Sequence, residues 1–163
     1  MPQNLSLSKT LIVLLAATSA LGPGAMQILL PALPIIKETL QVSNDVAQLT
    51  LSLSMLAIAL GTLIYGPLSD KYGRKPIMIL GLSITVLGSI FCYLAHSIEM
   101  LILGRIVQAF GGAVGLVLAR AIVRDVYGAQ EAARVIATLV MVMVVLPMLS
   151  PALGGELMLL FGW

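Results

Sequence analysis

Hydrophobic residues run through this 163-residue chain in five long blocks, and charged residues collect almost entirely in the short stretches between them. The blocks cover residues 10–36, 46–69, 76–95, 100–123 and 135–161. At 1.5 Å of rise per residue, roughly 20 apolar residues cross a hydrocarbon layer, and each block reaches that length. The pattern predicts an all-α integral membrane chain with about five transmembrane helices. The first block begins like a secretory leader, with Lys9 ahead of an apolar run that ends in the small residues Ala16 to Ala20. Its apolar character continues past Gly22-Pro23-Gly24 to Ile36, too long for a leader. It reads as a retained span, bent or ended by Pro23, Pro31 and Pro34.

Within the blocks, small and polar residues recur at helical spacing. Lipid supplies no hydrophobic force between helices, so close approach over Gly, Ala and Ser marks the packed faces. The second block carries Gln48, Ser52, Met55, Ala59, Thr62 and Gly66 on one line, and the third carries Gly81, Thr85, Gly88 and Cys92. Arg105, Gln108, Gly112, Gly115 and Ala119 share a face of the fourth. The fifth has Pro147, Ser150, Pro151 and Gly154, with Gly155 adjacent. These lines are the expected helix contacts.

Composition agrees with a chain that meets lipid: 60% of residues are hydrophobic and only 10% charged, where soluble domains carry about 25%. A net charge of +2 is too small to argue for nucleic acid. The distribution of cations says more. Lys9, Lys71, Arg74, Lys75, Arg120, Arg124 and Arg134 fall on one side of the predicted spans, and only Lys37 on the other. By the positive-inside rule the N-terminus and the 70–75 and 120–134 loops are cytoplasmic, which puts Trp163 outside. His96 reads as a solvated turn residue, and Glu156 as an interfacial one. The lone Cys92 cannot form an internal disulfide and reads as a packing residue. No Cys/His cluster offers a metal site, and no nucleophile–base set, carboxylate pair or phosphate loop points to an enzyme.

Arg105 is the one cation well inside a predicted span, Arg120 lying at the cytoplasmic end of the fourth. Burying it costs about 2.5–3.5 kcal/mol on insertion scales, so it faces a cavity or partner unless it snorkels to the nearby boundary. Gln108, one turn further in on the same face, favours the cavity.

Between the second and third spans runs Gly66-Pro67-Leu68-Ser69-Asp70-Lys71-Tyr72-Gly73-Arg74-Lys75-Pro76. Gly66 allows a helix end to approach a neighbour, Gly73 allows a tight turn, and Asp70 can accept from an Arg or from free helix N–H groups. This stretch resembles the cytoplasmic signature of the major facilitator superfamily, matched here by Gly66, Asp70, Lys71, Gly73, Arg74 and Lys75. Arg105-Ile-Val-Gln108 with Gly111-Gly112 resembles the fourth-span motif of that superfamily, there associated with proton coupling. Pro147 to Gly155 resembles the fifth-span antiporter motif, with Pro147 where Gly is more usual. In that motif Pro and Gly, here Pro147, Pro151, Gly154 and Gly155, shape a seal against the other half. Together with Leu30-Pro31-Ala32-Leu33-Pro34 and Arg120-x-x-x-Arg124-Asp125, these stretches are similar to the bicyclomycin/chloramphenicol-resistance branch of drug:proton antiporters. Gln27 stands where that branch commonly has an acidic residue, so this position does not titrate.

The resemblance implies residues 1–163 form an incomplete N-terminal half of a major facilitator fold, the second half being absent. It implies proton-coupled export of small amphipathic drugs by a longer parent in a bacterial inner membrane. The coupling ion is the proton and no soluble cofactor is implied. The partners are the bilayer, a small-molecule substrate and the missing C-terminal half. Gln27, Arg105 and Gln108 are the candidate cavity or coupling residues. Uptake of a sugar or other metabolite, or a non-transporting membrane piece, are the alternatives.

Overall fold

The computed structural model describes residues 9–161 and, over that range, is helical with short connections. Helix α1 spans Lys9–Gln27 and passes through Pro23 without ending. The chain breaks just beyond it, in a 3-10 turn over Leu30–Ala32, with Pro31 at its start. The short α2, Leu33–Leu40, begins with Pro34 in its first turn and ends at Gln41, whose φ is 50°. Pro31 and Pro34 therefore sit where a missing N–H costs least, at helix starts.

Helix α3, Asn44–Tyr72, is capped by Ser43, whose Oγ accepts from the Val46 N–H at 3.4 Å. Gly73 ends it at φ +93°, a conformation open to glycine, and α4 follows directly over Arg74–Tyr93. Helices α5, Ile98–Gly128, and α6, Gln130–Leu160, meet at Gly128, whose φ of 66° breaks the helical run. The 120–134 stretch is thus mostly helix rather than loop. Counting Lys9–Leu40 as one unit, five helices are long and apolar enough to cross a membrane.

Helix α5 is the centre of the bundle, and Ala113, Val114, Leu118, Ala119 and Val123 on it are fully buried. Its glycines let two neighbours, α4 and α1, come close. A Cβ on Gly111 would lie 2.5 Å from the Thr85 amide of α4, and one on Gly112 would lie 3.1 Å from Gly22 of α1. Three cores result: one joins α1, α5 and α6 around Leu15, Val123 and Leu139, a second joins α3, α4 and α5 around Tyr65, Ile77 and Leu118, and a third joins α2 to the start of α5 around Ile36, Ile98 and Leu101. Between helices in lipid, such interlocking supplies the attraction.

The lines read from the third and fourth blocks face their neighbours. The line read from the second block does not. Gln48, Ser52, Met55 and Ala59 are exposed, Met55 by 62%. The buried face of α3 is instead Ala47, Thr50, Ser54, Ala57, Gly61, Tyr65 and Ser69. Both faces of this helix carry small and polar residues, and the position of α5 decides between them.

Candidate functional site

Two groups of polar side chains stand out, at opposite ends of the bundle. The first is built on α5, where the i, i+3 spacing places Arg105 and Gln108 side by side. Arg105 is only 8% exposed. Its Nη1 donates to the Gln108 Oε1 at 2.8 Å and to the Ala25 carbonyl of α1 at 2.9 Å. Gln108 Nε2 donates to the Ser89 Oγ of α4 at 2.8 Å, and that hydroxyl donates on to the Thr85 carbonyl at 2.9 Å. One chain of hydrogen bonds thereby ties α1, α5 and α4 together.

Snorkelling is excluded by this geometry, because the guanidinium is buried and turned onto α1. Hydrogen bonds in membrane bundles average ~0.6 kcal/mol and reach ~1.7. Two of them return about 1–3 kcal/mol against the ~2.5–3.5 kcal/mol cost of placing Arg there. At best the account balances, so stability does not explain the residue. The guanidinium borders a cavity of about 20 Å³ also lined by Ala25, Met26, Thr50, Ser54 and Thr85.

Gln27 does not join this group. It is the last residue of α1, half-buried, and the cavity wall is formed by Ala25 and Met26 in its place. The α1 partner of Arg105 is a backbone carbonyl, an acceptor that every residue carries and that no sequence motif marks. Ser89 and Thr50 carry no motif either: each is one of several hydroxyls spread along its helix, and only the packing shows which of them is buried. In α6, Gly154 packs against the Ile28 carbonyl, and Gly24 lies close to Ser150, so part of the Pro147–Gly155 stretch seals α6 onto the first span. Gly155 faces open space, and Pro147 and Pro151 are half-buried within the continuous helix.

The second group closes the turn between α3 and α4. Arg74 Nη1 lies 2.6 Å from Asp70 Oδ1, and Arg74 Nε donates to Asp125 Oδ2 of α5 at 3.0 Å. Arg74 Nη1 also donates to the Ser69 Oγ at 2.6 Å, and that hydroxyl donates to the Gly66 carbonyl. Arg74 is thus the hub of the motif, and Asp125 is its unforeseen partner from the Arg124-Asp125 stretch. Lys75 is exposed, and Lys71 sits 5.2 Å from the Tyr72 ring centre. Close approach at Gly66 is not what the structure uses, since a Cβ there would meet Val117 at an ordinary 3.9 Å. Gly61, one and a half turns earlier, makes that contact: its Cβ would lie 2.8 Å from the Ala113 Cβ. Nearby, Arg120 and Arg124 line an open groove of about 720 Å³ with Pro23, Thr62 and Met143.

Comparison with known proteins places these features in a family. The chain is 37% identical over 150 residues to the uncharacterized MFS-type transporter YdgK of Bacillus subtilis, covering 92% of this chain and 37% of that protein. It is 32% identical to a bicyclomycin resistance protein homolog of Haemophilus influenzae, over 93% of this chain and 38% of the relative. It is 35% identical to a chloramphenicol resistance protein of Pseudomonas aeruginosa, over 93% of this chain and 36% of the relative. The chain therefore spans little more than a third of the length of the curated relatives it matches. The profile of the Major Facilitator Superfamily matches residues 7–163, and the chain belongs to that superfamily.

Proposed function

We propose that this chain forms one wall of a proton-coupled exporter of small amphipathic drugs, working with further spans of a longer transporter. The observation that carries the reading is the buried Arg105, held in the span interior at a cost that packing does not require. The relatives supply the substrate class, two of them being named for resistance to bicyclomycin and chloramphenicol, and YdgK is named as a transporter. The exposed line Gln48, Ser52, Met55 and Ala59 on α3 supports a seam with those further spans, since a face so rich in small and polar residues suits a helix better than lipid. In this reading Arg105 and Gln108 orient substrate or tune a carboxyl group elsewhere in the transporter. Arg105 itself stays charged, and Gln27 has no proton to give.

In this reading the site lies in a bacterial inner membrane with the N-terminus cytoplasmic, an orientation that the cation count of the loops supports. A cysteine placed in the 70–75 turn should resist an impermeant reagent added to whole cells, and ready labelling would invert the topology. The function is tested by expressing the chain with its downstream reading frame in a drug-sensitive strain. Chloramphenicol and bicyclomycin resistance should rise, and inverted vesicles should release protons when drug is added. A frame that confers neither, at verified membrane expression, overturns the proposal.

A further inference from the structure

We propose that a water molecule binds between the Thr50 hydroxyl and the Arg105 Nε–H, making Thr50 a positioning residue for the guanidinium. The inference is independent of the transport reading. Thr50 is 1% exposed and Arg105 8%, and neither Thr50 Oγ1 nor Arg105 Nε has a hydrogen-bond partner among the described residues. Such orphaned buried atoms are uncommon, because an unmet donor or acceptor costs about 1–3 kcal/mol.

Both residues line the same cavity. Its space of about 20 Å³ is close to the ~10–15 Å³ that holds one water and far below what an organic ligand needs. Ser54, Thr85 and Gln108 add polar groups to its wall. Thr50 also departs from the habit of its neighbours. Ser19, Ser54, Ser69, Thr85, Ser89 and Ser150 each donate to a carbonyl three or four residues back on their own helix. Such back-bonding is the usual resting place of a hydroxyl in a membrane helix. Thr50 forgoes it while bordering the cavity.

A water here accepts from Arg105 Nε–H and donates to Thr50 Oγ1. It thereby extends the α1–α5–α4 hydrogen-bond chain to α3, a further neighbour of α5, and fixes the guanidinium from a second side.

Radiolytic labelling of the unaltered chain in lipid nanodiscs tests this. Met26 is the one sulfur-bearing residue among those lining the cavity, which makes it a good target for hydroxyl radicals formed at a trapped water during an X-ray pulse. Met26 should be oxidised several-fold faster than Met148, which is 74% exposed on a helix apolar enough to cross the membrane. Thr50→Val keeps the side-chain volume and should cut Met26 oxidation several-fold, with helicity and Met148 oxidation unchanged. Thr50→Ser should restore it. Met26 oxidation no faster than that of Met148 in the unaltered chain overturns the proposal without any variant. Equal Met26 oxidation in Thr50→Val overturns it too, since bulk water would then be the source.

Discussion

Arg105 and Arg74 each serve as the hub of a hydrogen-bonded group, but their surroundings differ. Arg105 is 8% exposed and its partners are a carbonyl and an amide, both neutral. The side chain of Arg74 is 28% exposed and faces two carboxylates, themselves 65% and 54% exposed. A buried cation with neutral partners is held in one geometry, because any departure strands groups that water cannot reach. An exposed ion pair is worth ~0–1 kcal/mol and is broken cheaply. In the proposed transporter the first arrangement would serve as a fixed element of a binding wall. The second would serve as a latch between helix ends.

The contrast is broken most severely by wedging the buried group apart. A Cβ on Gly88 would lie 2.5 Å from the Gln108 Cα. Gly88→Val should therefore destabilise the bundle by about 2–3 kcal/mol in detergent-titration unfolding. A loss below ~1 kcal/mol would mean that α4 and α5 separate easily, and that the hydrogen-bond chain between them is not rigid.

A sharper comparison sets Gln108→Leu against Arg105→Leu. The first leaves a buried guanidinium short of a partner and should cost about 1–2 kcal/mol. The second removes the same hydrogen bonds together with the cost of burying the cation, so stability should change by ~1 kcal/mol or less in either direction. Both should abolish drug export by the longer transporter. Arg105→Leu proving the more destabilising would make Arg105 a structural residue.

The latch should respond least in stability. Asp70→Asn and Asp125→Asn should each shift unfolding by ~0.5 kcal/mol or less, and even that should fade near 1 M salt, where the screening length is ~3 Å. Transport by the longer protein should nevertheless fall sharply in Asp70→Asn at equal membrane expression. Undiminished drug resistance would reduce the loop to a topology signal.

The sequence by itself determined the number of crossings, because only long apolar runs survive in lipid, and it located the turn that Gly73 makes. It also marked Arg105 as out of place and put Gln108 beside it, since helical spacing is fixed by geometry alone. The tertiary structure decided the rest. It chose the Thr50–Gly61–Tyr65 face of α3 over the Gln48–Ser52–Ala59 face, set the close approach at Gly61 rather than Gly66, and joined Arg74 to Asp125 across the bundle. It replaced Gln27 with the carbonyl of Ala25 as the α1 partner of Arg105. The reason is common to all four. In water, apolarity tells a residue which way to face, but in a bilayer lipid and protein interior are equally apolar. The facing surface is then chosen by which neighbour fits it, and a backbone acceptor is recruited by position, whatever side chain it carries.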